Sequence, residues 1–206
     1  MGGMMHLILV RHGHSKHGVE NVIAGNVGCK GLTEQGIQQA ELLAQRLRNE
    51  AVKCDVLLST SVKRAYETAT IISAQRQQAI HINDDLRELL PGAADGLSWE
   101  QYQGQYGAVD FETQPDKPFA PNGESWKQFV ARVKTSLDTL YQTYKDRDVI
   151  AVTHSGFIVV SFLCLFEAPF FNRRAVIHPD YTSLTEWQVS DNTWQLVRFN
   201  DTHHLE

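Results

Sequence analysis

The chain has 206 residues, of which 42% are hydrophobic and 21% are charged, an ordinary globular composition with enough apolar material for a large core. Nineteen basic and 24 acidic side chains give a net charge of −5, which excludes the strong positive field typical of nucleic-acid-binding proteins. Attraction for an anionic ligand must therefore be local. The longest apolar run, 157–166, is too short to span a bilayer, and no signal peptide is evident, so we expect no membrane partner.

The first half of the chain alternates short apolar runs with longer amphipathic stretches. Runs of strand length occupy 6–10, 55–60 and 79–82. Thr33 is a predicted helix N-cap. The apolar face of that helix is predicted to be Ile37, Ala40, Leu43, Ala44 and Leu47. The spacing predicts another helix over 61–77, with one face formed by Val62, Ala65, Ala69 and Ile72.

The second half begins with a segment, 90–122, that is rich in Gly, Pro, Gln and Tyr. Its composition predicts a loop or lid with one helix near 99–106. A long amphipathic helix is predicted within 123–147. A buried strand over 149–153, an apolar helix, and a strand pair over 182–189 and 193–199 follow.

Strands that alternate with helices predict an α/β fold. We expect a three-layer sandwich, in which a mostly parallel, doubly wound sheet is flanked by helices and a lid-like insertion lies around 90–122. No repeat or linker interrupts the chain, which predicts a single domain over 1–204. The last two residues, Leu205 and Glu206, resemble a cloning scar.

Polar side chains follow three of the predicted strands. Arg11 and His12 end the first, residues 59–61 end the second and lead to Arg64, and His154 ends the third. In parallel sheets, reactive groups cluster beyond the carboxyl ends of the strands. We therefore expect these side chains to converge.

These residue types suit phosphoryl transfer without a metal. Arginine forks bind phosphate oxygens, a neutral imidazole can be the nucleophile, and a carboxylic acid can protonate the leaving oxygen. The residues that would supply these groups are Arg11, Arg64, His12, His154 and Glu88.

Each residue alone has a structural alternative. Arg64 could be a solvated helix residue, Glu88 could be an ion-pair partner, and His154 could be a hydrogen-bonded core histidine. Their joint position at successive strand ends favours a functional site over these alternatives.

Several histidines near the N-terminus raise the possibility of a metal site, and they are His6, His12, His14 and His17. No carboxylate or cysteine completes a set at the usual ligand spacing, so we expect neither a metal site nor a cofactor. Three well-separated cysteines without a CxxC pair predict neither a disulfide framework nor a zinc knuckle. They favour a reducing compartment, and we expect a cytoplasmic protein.

Six segments, in order along nearly the whole chain, resemble the motifs of the histidine phosphatase superfamily, the phosphoglycerate mutase-like proteins. Residues 10–15 (VRHGHS) are similar to its RHGxS/T signature, and 31–40 (GLTEQGIQQA) to its PLTExGxxQA helix start. The other four segments are 59–69 (STSVKRAYETA), 86–89 (LREL), 121–125 (PNGES) and 152–156 (VTHSG). The tail, 200–205 (NDTHHL), is also similar to the family's NDTxHL, which offers a native origin for Leu205 as the alternative to a scar.

The resemblance, closest to the phosphatase branch, implies a role for each matching residue. His12 would be the phosphorylated nucleophile and Glu88 the proton donor. Arg11, Arg64 and His154 would line the phosphate pocket. Further candidates for phosphate binding are Ser15, Asn21, Asn26 and Ser155, and the choice between the two asparagines stays open at this point.

The chain departs from the family pattern at three places. His14 occupies the variable position of the signature, and 15–32 does not align cleanly with the family's asparagine and glutamine-glycine. Ala94 and Asp95 stand where the family's GxWEG has Trp and Glu. We expect the loss of a large indole there to widen the site.

The predicted function is hydrolysis of a small phosphorylated metabolite through a phosphohistidine on His12, without metal or cofactor. One alternative is a cofactor-dependent phosphoglycerate mutase, although the chain lacks room for the long insertions of those enzymes. Another is a protein phosphohistidine phosphatase, although 90–122 looks able to cover the site. A silent binding module would not need the five reactive residues. A homodimer is one expected assembly.

Overall fold

A computed structural model of the protein describes residues 3–168 and 176–206. Its sheet has six strands, in the order β3-β2-β4-β1-β5-β6. The strands are β1 (Met5–Arg11), β2 (Val56–Ser59), β3 (Ile80–Ile82), β4 (Asp148–Thr153), β5 (Leu184–Ser190) and β6 (Thr193–Asp201). The first four in the spatial order are parallel, whereas β5 and β6 are antiparallel to their neighbours.

Helices cover both faces of this sheet. The helices are α1 (Lys16–Glu20), α2 (Glu34–Asn49), α3 (Lys63–Arg76), α4 (Trp99–Tyr106), α5 (Trp126–Thr143) and α6 (Ser155–Leu165). Short 3-10 turns lie at Asp84–Leu86, Gly92–Ala94 and His203–Leu205. Helices α2 and α3 pack on one face, and α5 and α6 pack on the other. The predicted three-layer α/β fold with a mostly parallel sheet is therefore confirmed.

The central strand β1 contributes to both halves of the core. Its side chains alternate between the two faces, as a period of two requires. Leu7 and Leu9 pack with α5 and α6, whereas Ile8 and Val10 pack with α2 and α3. Burial on both faces explains why this strand is a continuous apolar run in the sequence.

The start of α2 confirms one predicted feature and corrects another. Thr33 caps the helix, because its Oγ1 accepts a hydrogen bond from the backbone nitrogen of Gly36 at 3.1 Å. Ile37 was predicted on the buried face, but it is 41% exposed, so that prediction was wrong. Gly36 faces the protein instead, since a Cβ there would lie 2.0 Å from the carbonyl oxygen of His14. The remaining apolar residues of that face, Ala40, Leu43, Ala44 and Leu47, are buried.

The insertion predicted around 90–122 carries α4 and has a small core of its own. Tyr102 stacks on Phe119 at 4.4 Å between ring centroids, and its hydroxyl donates to the Phe119 carbonyl at 2.9 Å. Ala94, Ala120 and Ile23 complete this cluster. The insertion is therefore packed through its own aromatic residues.

The C-terminal residues lie against α2, where the 3-10 turn at His203–Leu205 contacts the helix. The single domain over 1–204 and the interpretation of 205–206 stay predictions. In the part of the chain that the structure describes, no helix combines the length and apolar character needed to cross a membrane.

An ion pair ties the end of β6 to α2. Arg46 donates from Nη1 and Nη2 to the two carboxylate oxygens of Asp201, at 2.8 and 2.6 Å. These hydrogen bonds are the main reason why the pKa of Asp201 lies well below its usual range. A carboxyl whose folded pKa is depressed stabilises the fold above its unfolded pKa, and that contribution is lost as the pH falls.

We expect Asp201→Asn to lower the free energy of unfolding by about 1 kcal/mol at pH 7, because a charge-assisted bidentate pair is lost. The difference from the wild type should shrink as the pH falls below about 4. Urea denaturation at several pH values measures both effects. Glu50→Gln is the matched control, since Glu50 binds the same arginine but is 42% exposed. Its loss should stay below about 0.5 kcal/mol, and an equal loss would contradict the prediction.

Candidate active site

The strand order brings three functional strand ends to one place. Strand β4 pairs in parallel with β1 on one side and with β2 on the other. The residues that follow these strands therefore share the carboxyl edge of the sheet. Arg11, His12, Arg64 and His154 all lie there, as their mutual contacts demonstrate. The convergence expected from the sequence is present.

His12 is buried, with 3% of its surface exposed. Arg64 donates a hydrogen bond from Nε to Nε2 of His12 at 3.0 Å. Because a guanidinium is only a donor, Nε2 carries the lone pair and Nδ1 carries the proton. Nδ1 donates that proton to the carbonyl oxygen of Gly13 at 2.8 Å. The ring is thus a neutral imidazole whose basic nitrogen faces a cation.

Burial and positive neighbours keep two histidines neutral. Burial lowers the pKa of His12 well below 6.5, and the charge of Arg64 lowers it further. The same causes, in the same order, lower the pKa of His154. The two rings are 5.2 Å apart between centroids. Nε2 of His154 is hydrogen-bonded to Oγ1 of Thr60 at 3.0 Å, and its Nδ1 is buried without a hydrogen-bond partner among the described residues.

Two buried guanidinium groups flank His12. Arg64 is 2% exposed and also donates to the carbonyl of Ala24 at 2.9 Å. Arg11 is 9% exposed, donates to the carbonyl of Pro179 at 2.5 Å, and lies 3.9 Å above the ring of Tyr181.

These charges are not neutralised locally. Among residues 3–168 and 176–206, no carboxylate lies within ion-pair distance of Arg11 or Arg64. Nε of Arg11 also lacks a hydrogen-bond partner there. Burial lowers the pKa of Arg11, which reflects the cost of desolvating its charge. Buried charges are normally paired, so this arrangement is that of a site for an anion.

Glu88 is held at the edge of the same cavity by two backbone groups. Its Oε1 accepts from the nitrogen of Leu89 at 3.0 Å, and its Oε2 accepts from the nitrogen of Gly156 at 2.8 Å. A Cβ at position 156 would lie 1.9 Å from Oε1. The glycine of the VTHSG segment therefore permits the close approach of this carboxylate.

An ion pair that sequence reasoning missed holds the backbone around Glu88. Arg132 on α5 binds both oxygens of Glu124, at 2.7 and 2.8 Å. The same guanidinium donates to the carbonyls of Asp85, Arg87 and Glu88, at 2.7, 3.0 and 3.1 Å. Glu124 belongs to the PNGES segment, which was the only available signal in the sequence. The segment that carries Glu88 is thus fixed from outside the cavity.

The four further candidates for phosphate binding separate into two groups. Asn21 and Ser155 line the cavity that contains His12. Asn26 lines a neighbouring cavity, and its Oδ1 accepts from Nη2 of Arg87 at 3.0 Å. Ser15 is fully buried, and its hydroxyl is hydrogen-bonded to Nδ1 of His17 at 2.8 Å. The geometry therefore favours Asn21 over Asn26 for contact with a ligand at His12, whereas Ser15 contacts His17 and does not line the cavity.

His17 lines the cavity, although the sequence suggested for it only a possible role as a metal ligand. Its ring centroid is 6.2 Å from that of His12, and it lines the same cavity. Burial, followed by the charges of Arg64 and Arg11, lowers its pKa to about 4. No sequence signal marked it, because the short helix α1 that presents it has no apolar periodicity.

The other N-terminal histidines lie apart from this ring. His6 is near Glu186, at 3.9 Å, and Nδ1 of His14 is hydrogen-bonded to Oγ1 of Thr33 at 2.8 Å. Within residues 3–168 and 176–206, no group of three or more His, Cys, Asp or Glu side chains could hold a metal ion.

The departures at positions 94 and 95 act on the insertion. Ala94 is fully buried in the small aromatic core and does not line the cavity, so the expected widening is not seen at that position. Asp95 accepts hydrogen bonds from three backbone nitrogens, at 2.8, 2.9 and 2.8 Å, which belong to Gly25, Val27 and Gly28. Its carboxylate thereby fixes the loop beside the cavity.

The cavity at His12 has a volume of about 430 Å³, a size suited to a small molecule. Its charged lining residues are Arg11, Arg64 and Glu88, and Arg64 donates to His12. The remaining wall is largely apolar and comes from α1, the insertion and α5.

The lowered pKa values lead to a direct test by NMR titration of the histidine rings. We expect the ring signals of His12 and His154 to stay those of neutral imidazole between pH 8 and 5.5, because protonation would bury a further positive charge. The urea-unfolded chain is the control, in which histidines titrate near about 6.5. Protonation of either ring above pH 6.5 in the folded protein would contradict the electrostatics described.

Comparisons with known proteins agree with this geometry. The profile of the histidine phosphatase superfamily (branch 1) matches residues 7–202. Phosphoglycerate mutase-like protein 4 of Arabidopsis thaliana is 30% identical, over 97% of this chain and 86% of its own. The metal-independent phosphoserine phosphatase of the same plant is 29% identical, over 97% of this chain and 82% of its own.

A solved structure extends the agreement to the fold. A mutant phosphoserine phosphatase of Entamoeba histolytica, in complex with phosphoserine, has a TM-score of 0.79 and is 25% identical, covering 98% of this chain and 100% of that chain. The RHG signature, the ordered motifs, the sheet and the site therefore have one explanation: the chain belongs to the histidine phosphatase superfamily, branch 1.

Proposed function

We propose that this protein is a metal-independent phosphatase that hydrolyses a small phosphorylated metabolite through a phosphohistidine on His12. The observation that carries the proposal is the pair of buried, unneutralised guanidinium groups beside a neutral imidazole with its lone pair on Nε2. A phosphate dianion would neutralise the guanidinium groups, and Nε2 of the imidazole would attack its phosphorus. The names of the Arabidopsis and Entamoeba phosphoserine phosphatases support this substrate class.

The first step transfers the phosphoryl group to His12. A bound dianion takes the hydrogen bond of Arg64 Nε, which frees Nε2 of His12 for in-line attack. The N–P bond forms as the P–O bond to the leaving group breaks, and Glu88, in its protonated form, gives the leaving oxygen its proton. The carbonyl of Gly13 accepts from Nδ1 and stabilises the positive charge that develops on the ring.

The second step releases phosphate. The Glu88 carboxylate takes a proton from water, the water oxygen attacks phosphorus, and the N–P bond breaks. His12 returns to its neutral form and Glu88 to its acid form, so the cycle closes without an external reagent. His154 and Arg11 line the oxygens of the transferring group in both steps.

The two alternatives predict other products. A mutase would isomerise 3-phosphoglycerate faster than it releases phosphate from it. This comparison of rates is worth making because one Arabidopsis relative is named a phosphoglycerate mutase-like protein. A protein phosphohistidine phosphatase would act only on a phosphorylated protein. The insertion argues against it, because Trp99, Phe111 and Phe119 line the cavity that contains His12, and a protein surface would have to fit between them.

We also propose a cytoplasmic location, which the three unpaired cysteines support. A homodimer stays a prediction, and light scattering during size-exclusion chromatography tests it.

His12→Ala should reduce the release of phosphate from small phosphomonoesters on the order of 10³-fold or more, because the methyl group of alanine cannot form the N–P bond. The wild type, quenched in alkali during turnover, should carry an acid-labile phosphoryl group that the variant lacks. The control His81→Ala removes an exposed histidine on β3 and should change neither result. Activity that survives His12→Ala, or that EDTA abolishes, contradicts the proposal.

Glu88→Gln should separate leaving groups by their basicity. For alkyl phosphates we expect a loss of about 10²–10⁴-fold in kcat/KM, because the leaving alkoxide needs a proton. For p-nitrophenyl phosphate, whose leaving group is a stable anion, the loss should be at least tenfold smaller than for alkyl phosphates. Glu41→Gln, on the exposed face of α2, is the control. An equal loss for both substrate types would assign Glu88 to another role.

A further inference from the structure

The cavity at His12 has two ends of different chemistry. Arg64 is hydrogen-bonded to His12 and interacts electrostatically with Arg11, which interacts with Glu88, and the phosphoryl group of the proposed substrate would lie at this end. The wall beyond them is dominated by aromatic rings, which are Trp99, Phe111, Phe119, Trp126 and Phe129. The leaving group of a bound phosphomonoester extends away from His12, and this wall is therefore what it meets.

The rings of this wall support one another. Phe111 lies 5.3 Å from Trp126 and 6.4 Å from Phe119 between ring centroids. Trp99 meets Phe119 edge-on at 6.0 Å, and Trp126 meets Phe129 edge-on at 5.9 Å. Such offset and edge-to-face pairs stabilise a fixed arrangement. The wall is thus formed before a ligand binds, which lowers the ordering cost of binding.

Within the described part of the chain, this wall offers no charged partner to a leaving group. Among the cavity residues that the structure describes, Arg11, Arg64 and Glu88 carry the full charges, and all three lie at the phosphoryl end. Glu88 already accepts two backbone hydrogen bonds. A carboxylate or an ammonium group moved from water to the aromatic wall would lose its hydration without a compensating ion pair.

We propose that the preferred substrates are phosphomonoesters of apolar, ring-bearing alcohols, and that phosphoserine and 3-phosphoglycerate are poor substrates. This inference rests on the proposed function and specifies its substrate class. A leaving group of the size of a phenyl or naphthyl ring suits a cavity of about 430 Å³ that also holds the phosphoryl group. Stacking against Phe111 and Trp126 supplies the contact.

The test compares alkyl phosphates with leaving groups of similar intrinsic reactivity. We expect kcat/KM for 2-phenylethyl phosphate to exceed that for ethyl phosphate, phosphoserine and 3-phosphoglycerate by about tenfold or more, since the phenyl ring gains apolar burial. Equal or higher kcat/KM for either carboxylate-bearing substrate overturns the inference.

Variants of the wall sharpen the test. Phe111→Ala should lower the ratio of kcat/KM for 2-phenylethyl phosphate to that for ethyl phosphate by about fivefold, mainly through KM, because ethyl phosphate has no ring to stack on Phe111. Phe111→Arg should raise kcat/KM for 3-phosphoglycerate, because it adds a partner for the carboxylate. Phe199→Ala, an exposed aromatic on β6 outside the cavity, is the matched control. Equal losses for both alkyl substrates in Phe111→Ala overturn the role of the wall.

A reaction of inorganic phosphate, which has no alcohol leaving group, tests the proposed function separately from this inference. Exchange of ¹⁸O between water and inorganic phosphate requires only formation and hydrolysis of the phosphohistidine. Exchange that persists while phosphoserine is preferred overturns the substrate class alone. Absence of exchange, together with no hydrolysis of any monoester, overturns the proposed function and this inference with it.

Discussion

Arg64 donates a buried hydrogen bond to Nε2 of His12, and this contact decides the charge and the tautomer of that imidazole. A protonated His12 would place a third positive charge beside Arg11 and Arg64 in a site shielded from water, so the ring stays neutral. The same arrangement leaves two cations without a neighbouring carboxylate. Their desolvation is unfavourable for the empty fold, and a phosphate dianion offsets it. The same unpaired charges that are costly to bury would therefore attract an anion.

The fold accommodates the buried charges at the carboxyl edge of the sheet because other parts of the structure stabilise it. Strands β1 and β4 are buried on both faces, and α2, α3, α5 and α6 cover the sheet. Arg132 and Glu124 fix the backbone of the Glu88 segment from behind, outside the cavity. The reactive groups are thus held by rigid elements and by an ion pair that does not compete for the ligand.

The two parts of the cavity come from different parts of the chain. The phosphoryl end is built from the ends of the central strands and from α3, whereas the far wall comes largely from the insertion around 90–122 and from α5. Aromatic packing orders that wall independently of the sheet. Under the proposed function, changes in the insertion would alter the leaving group that is accepted while the two guanidinium groups and His12 keep their geometry.

Local patterns in the sequence were sufficient to predict most helices and strands and the convergence of polar residues at the strand ends. The apolar run of β1, the N-cap Thr33 and the polar residues after β1 and β4 are all short-range signals. Ile37 was misplaced because the close approach of Gly36 to His14 is a contact between distant segments. Tertiary structure was also needed to place His17 in the cavity and to choose between Asn21 and Asn26. It alone revealed the contacts of Arg132 and the aromatic wall. The periodicity of apolar residues indicates which face of a helix or strand is buried. Only the packing of the whole chain decides which loops and helices meet around His12.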